Sequence, residues 1–224
     1  MAKRKRPRGP QRSRRRQPRR EPYDRVLVVC EGTKTEPDYF REIVEAYRLS
    51  SANVVVASGR GSDPESVVAT AIGKYEDEDG DYDGVYVVVD RDTHAGYAAA
   101  EDRVRNAPGG LRDVARLVPS TPCFEYWLLL HFEETARPYA KTGKRSPCAN
   151  VIRDLEAHLP GYSKGGGGTF AATRAHVEEA KARAARRLVE ARRAGTENPT
   201  THVHVLVERL QTLRDGPSGT GERG

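Results

Sequence analysis

Arg25-Val26-Leu27-Val28-Val29-Cys30-Glu31-Gly32, set beside Gly84-Val85-Tyr86-Val87-Val88-Val89-Asp90-Arg91-Asp92, decides the fold class. Each stretch is an apolar, largely β-branched run that ends on an acid. A continuous rather than alternating run reads as a strand covered on both faces, the mark of a parallel sheet. In open α/β sheets, ligands bind outside the carboxyl ends of the strands. An acid directly after each strand therefore stands where such folds place chemistry. Asp90 and Asp92 straddle Arg91, so in extended backbone their side chains point the same way and Arg91 turns elsewhere. With Glu31 from a neighbouring strand they form a set of hard oxygen donors suited to Mg²⁺, with Mn²⁺ an acceptable substitute. Glu31 either completes that metal set or serves as acid/base. Two ions there would stabilise the entering and leaving oxygens of a phosphodiester.

Working outward, residues 31–37 turn into a helix, with Thr35 as its expected N-cap and Glu36 and Asp38 favouring its dipole. Phe40, Ile43, Val44 and Tyr47 give that helix an apolar stripe. Residues 53–57 read as a second strand. Asp63 caps the next helix, with Pro64 at its first position. After the strand ending at Asp90 come an Ala-rich helix over about 96–107, a fourth strand at 114–118, and an apolar helix over 123–132. Strands alternating with helices at this spacing imply βαβ units and a mainly parallel sheet flanked by helices. Beyond residue 134 the chain becomes polar and helical. A short helix is expected at 149–159, a four-glycine break at 165–168, a long helix from Phe170 to about Arg193, and a last helix opening at Asn198-Pro199-Thr200. The expected organisation is a basic arm (1–22), an α/β domain (23–134), a mostly helical C-terminal region (135–214) and a Gly-rich tail (215–224).

The net charge of +6 hides an asymmetry. Residues 1–20 carry eleven Lys or Arg and no acid, which leaves 27 basic against 32 acidic residues in the rest. The arm, with Arg14, Arg15 and Arg16 at its centre, suits salt-dependent and sequence-independent contact with phosphates; a solvated tail is the plain alternative. No run approaches 18 apolar residues and no apolar segment follows the basic stretch, so neither a membrane span nor a secretory signal is expected. A cytoplasmic location follows by default. Cys30, Cys123 and Cys148 are odd in number and widely spaced, which argues against a disulfide framework and against a CxxC zinc site. Cys30 and Cys123 read as small buried hydrophobes.

Single residues carry weaker signals. One acid at a strand end is commonly a cap or a turn residue; three acids at two apolar strand ends weaken that explanation. Glu125 lies in the first turn of the helix after Pro122. It is either a dipole partner or a fourth carboxylate at the same edge. His131 reads as a buried or capping histidine, and His202 and His204 as structural. Lys34 is close to Glu31, and Arg60 lies in a Gly-rich loop; together with Arg91 they are candidate phosphate contacts or plain surface groups. No P-loop occurs.

Val28-Val29-Cys30-Glu31-Gly32-Thr33-Lys34-Thr35-Glu36-Pro37-Asp38-Tyr39-Phe40 resembles the opening motif of the RloB family. Gly59-Arg60-Gly61-Ser62-Asp63-Pro64, Val89-Asp90-Arg91-Asp92, the run from Pro122 to Glu133, and Asn198-Pro199-Thr200-Thr201 follow in the same order. The resemblance implies a Toprim-like fold, with Glu31, Asp90 and Asp92 at the positions of its glutamate and Asp-x-Asp. It also implies a Mg²⁺-dependent nuclease linked to anti-phage defence or abortive infection, beside an AAA-type ATPase. The resulting expectation is a phosphodiesterase acting on DNA or RNA, with Glu31, Asp90, Asp92 and Glu125 at its catalytic centre. The alternative is a binding or sensing subunit held by the ATPase, with little turnover. Nucleotidyl transfer ranks third, because no NTP-binding signature is present. A homo-oligomer is left open.

Overall fold

The computed structural model describes residues 24–61, 63–91 and 96–215. Five strands form one sheet in the order β2-β1-β3-β4-β5. β1 (Val26–Cys30) is its centre, parallel to β2 (Val54–Ser58) on one side and to β3 (Gly84–Asp90) on the other. β4 (Ala115–Thr121) continues the parallel set. β5 (Thr200–Thr201) closes the edge antiparallel to β4.

Every residue of β1 is fully buried, as its unbroken apolar run demands. Its alternating side chains feed two cores. Val26, Val28 and Cys30 pack with α1 (Thr35–Ala46), α5 (Glu125–Leu129) and the C-terminal helices. Leu27 and Val29 face α2 (Pro64–Asp77), α3 (Gly96–Arg105) and the short α4 (Leu111–Val114). Helices on both faces are what lets a parallel strand be apolar throughout.

The first core joins distant parts of the chain. Tyr39 and Phe40 of α1 meet Phe124 edge-on, and Phe170 packs its ring against Tyr39 and Tyr47. Buried Trp127 donates its indole N–H to the Tyr39 hydroxyl at 2.9 Å. An apolar body with one satisfied polar handle is how large aromatics anchor a core. Four further helices complete this side: α6 (Pro147–Glu156), α7 (Thr169–Thr173), α8 (Val177–Ala194) and α9 (Val203–Asp215).

Several local expectations shift. Asp63 does cap α2, accepting the Ser66 N–H at 3.0 Å ahead of Pro64. Thr35 does not cap α1: Lys34 holds the N-cap position without a side-chain bond, and Thr35 is already helical. The Thr35 hydroxyl is drawn away, accepting the Gly165 N–H at 2.9 Å. The expected long helix from Phe170 is broken into α7, one 3₁₀ turn (Arg174–His176) and α8. The apolar helix expected over 123–132 is a five-residue α5 with turns on either side. Thr200 and Thr201 form β5 rather than opening the last helix, since the buried Ser120 and Thr201 hydroxyls bond at 2.8 Å and seat the segment on the sheet edge.

The cysteine reading needs correction as well. Cys123 and Cys148 form a disulfide, with Cα atoms 5.7 Å apart. Packing of α6 against α5 brings them together, and a spacing of 25 residues carries no local signal of it. Cys30 is free and buried, as expected.

Candidate metal centre at the carboxyl edge of the sheet

β2 lies on one side of β1 and β3 on the other, so the gap between β1 and β3 is the topological switch point of the sheet. Crevices at such points hold ligands in α/β folds. Glu31 leaves the end of β1 and Asp90 ends β3, so both stand at this gap. The Glu31 N–H extends the ladder by donating to the Val88 carbonyl at 2.9 Å. Its Oε2 then accepts the Asp90 N–H at 3.0 Å. Asp90 in turn is fixed by the Phe124 N–H, which donates to Oδ1 at 2.9 Å. The two acids are thereby tied to each other's strands and to the segment that enters α5.

Two residues join them that the sequence does not by itself place at this site. Glu36, in the first turn of α1, is buried. Its carboxylate lies over Gly32, where a Cβ would fall 1.9 Å from Oε2. A side chain at 32 would displace the Glu36 carboxylate from this position. Lys164 reaches in from the glycine-rich loop before α7 and pairs with Glu125 Oε1 at 3.1 Å. Glu36 carries a signal, an acid five residues after Glu31 in the quoted motif, but a first-turn acid equally fits a dipole partner. Lys164 carries none, because its approach depends on a contact between residues 130 apart in sequence, Gly165 to Thr35.

Glu125 is almost wholly enclosed, at 1% exposure. Its Oε1 accepts the Tyr162 hydroxyl at 3.1 Å as well as Lys164, and its Oε2 lies 3.2 Å from the Cys148 sulfur.

The electrostatics reflect this crowding of acids. Burial, then Glu36, Glu125 and Glu31, push the Asp90 carboxyl well above the usual range, and Lys164 offsets only part of that rise. Burial, Glu125 and Glu31 likewise raise Glu36. Against the cost of its own partial burial, Lys164 is held above its ordinary value by Glu125, Asp90 and Glu36. Among the described residues, Glu125, Asp90 and Glu36 thus act on one ammonium, and Glu31 adds its charge to Asp90 and Glu36. Such a cluster favours an added cation.

The donors are oxygens, the chemistry Mg²⁺ and Mn²⁺ take. Mg²⁺ commonly binds through one or two carboxylates and keeps its waters, so Glu31 and Asp90 suffice in kind. Among the described residues, Glu31, Glu36 and Asp90 do not converge as a closed threesome of ligand atoms. Asp92, the third acid expected there, lies outside the described residues, as do Arg14, Arg15 and Arg16.

The other candidates are placed apart. Arg91 is turned from the carboxylates as its spacing predicts: it pairs with Glu197 and stacks 4.2 Å from the Tyr97 ring centre. Both contacts line a cleft of about 710 Å³ beside β4 and α8. Lys34 is exposed and packs its stem against Gly165. Arg60 is exposed at the loop before α2, where its N–H donates to the Thr70 hydroxyl at 3.0 Å. His131 is buried, with Nδ1 against the Trp127 and Leu128 carbonyls and its pKa pushed down to about 4 by burial, so it is structural.

The fold and its edge define an α/β protein with an acidic switch-point site and a helical C-terminal region packed on one face of the sheet. The chain belongs to the RloB-like protein family, whose model matches residues 26–210. No curated protein and no solved structure matches it. Among the described residues, no helix is long and apolar enough to cross a membrane.

Proposed function

We propose that the chain is a divalent-metal-dependent phosphodiesterase acting on DNA or RNA, built on a Toprim-like edge. The observation that carries this reading is the joining of Glu31 and Asp90 across the β1/β3 switch point, through the Asp90 N–H and Glu31 Oε2. Glu31 and Asp90 hold Mg²⁺ or Mn²⁺, with Asp92 two residues on as a further ligand. A bound ion supplies Lewis acidity at the phosphate and charge for the leaving oxygen. Glu36 and Glu125 keep the edge negative, so that the cation is retained between turnovers. The Phe124 N–H holds Asp90 in place. The arm over residues 1–22 and the exposed Lys34 and Arg60 supply phosphate contacts. The same reading makes the protein an effector of anti-phage defence, partnered by an AAA-type ATPase.

The test is cleavage of plasmid, single-stranded DNA and total tRNA by the purified chain, in Mg²⁺ or Mn²⁺ and in EDTA. Cleavage that needs the metal and disappears in Asp90→Ala supports the reading. Cleavage unchanged in that variant ends it.

A second reading is a sensing subunit of the ATPase with little catalysis. Lys164 favours it, because the protein already places a cation of its own against Glu125. Co-purification with the partner, with no cleavage in any metal before or after release, selects this reading.

A further inference from the structure

Cys123, Glu125 and Cys148 offer ligand atoms that all lie within 4.8 Å of one another. Cys123 and Glu125 are 1% exposed, and Cys148 is half-buried at the start of α6. Two thiolates and one carboxylate match the donors that hold Zn²⁺, at roughly 2.3 Å to sulfur and 2.0–2.2 Å to oxygen. Tetrahedral zinc keeps two such sulfurs about 3.7 Å apart. Glu125 is the oxygen donor of that set. Oε2 of this enclosed carboxylate rests 3.2 Å from the Cys148 sulfur, which carries no proton while the bridge is closed. A buried carboxylate oxygen facing a sulfur without a proton lacks the partner such groups normally find. A metal between them supplies it. Lys164 on Oε1 balances the charge, since two thiolates, one carboxylate and one divalent ion sum to a single negative charge.

We propose that the reduced protein binds one thiophilic divalent cation, Zn²⁺ by chemistry, through Cys123, Cys148 and Glu125. The site adjoins the hard-cation edge and shares Glu125 with its carboxylate cluster, but its two sulfur ligands take no part there. Opening it takes a thiol reductant. Two RSH are oxidised to RSSR, and the bridge takes up their two electrons and two protons to give two thiols. Binding of the ion then releases those two protons to solvent.

The measurement is a Co²⁺ titration of the full chain, followed by sulfur-to-metal charge-transfer absorption in the near ultraviolet, with excess Mg²⁺ present to occupy the carboxylate edge. Reduced wild type gives one equivalent of this absorption, and added Zn²⁺ abolishes it. Oxidised protein and Cys148→Ser give none, and Glu125→Gln binds at least tenfold more weakly. Cys148 is preferred to the enclosed Cys123 as the variant site, with circular dichroism confirming that the variant folds. Reduced wild type that titrates like Cys148→Ser overturns the proposal, and so does a bridge that thiol reductant leaves closed in the folded protein. Because the signal reads sulfur alone, failure here is distinct from failure of the Mg²⁺ phosphodiesterase reading.

Discussion

Asp90 shows how one residue can oppose the stability of the protein that holds it. Its raised carboxyl pKa means that folding disfavours the charged form. Relative stability is therefore full below the ordinary carboxylate range and declines as pH rises through the raised value. Asp90→Asn keeps an oxygen for the Phe124 N–H and removes a like charge from Glu31, Glu36 and Glu125. In EDTA this variant should melt about 2–4 °C above wild type, equivalent to roughly 1 kcal/mol. The same variant should lose the extra stabilisation that Mg²⁺ gives wild type, and differential scanning calorimetry reads both. His131 has the opposite sign. Burial lowers its pKa from 6.5 to about 4. Its contribution is complete above the unfolded value and is lost as pH falls through the folded one, on the order of 3 kcal/mol in total. Urea denaturation between pH 7 and pH 4 should show His131→Asn taking up about one proton fewer on unfolding. Glu31 and Asp90 were legible in sequence because each ends an apolar run. The electrostatic weight of Glu36 was not, because a first-turn acid looks the same whether it faces water or other carboxylates.

At the scale of elements, the caps separate what pattern can settle from what it cannot. Asp63 and Thr35 carry the same kind of signal, a capping residue ahead of an apolar stripe. Asp63 accepts its helix N–H, while the Thr35 hydroxyl is taken by Gly165. Ser146 caps α6 by accepting the Ala149 N–H at 3.2 Å, with Pro147 following. That helix carries Cys148 and contributes Val151 and Leu155 to the core. Ser146→Ala should lower stability by about 1 kcal/mol in urea denaturation. The cap of α7 is remote: Glu42 of α1 accepts the Gly168 N–H at 2.7 Å and the Phe170 N–H at 2.8 Å. A carboxylate at a helix N-terminus satisfies donors that the helix cannot satisfy itself. Glu42→Gln weakens this anchor by roughly 1–3 kcal/mol. Hydrogen exchange should accelerate over 161–173, the segment that carries Tyr162 and Lys164, and remain unchanged in β1 and β3.

For the molecule as a whole, one apolar cluster runs from Val26 in β1 to Leu210 in α9, so the last helices are held by the same core as the first strand. The sequence alone determined the parallel sheet, the two covered faces of β1 and the arrival of Glu31 and Asp90 at one edge. Those features follow from short-range rules: β-branched continuity sets a buried parallel strand, and parallel strands deliver their carboxyl ends to the same side. Tertiary structure alone decided that Lys164 meets Glu125, that Glu36 lies over Gly32, that Cys123 bonds to Cys148 and that Thr200–Thr201 joins the sheet. These contacts join residues far apart in the chain, or depend on which way a helix is rotated against its neighbour. Their free energy comes from burial that exists only once both faces of the sheet are covered.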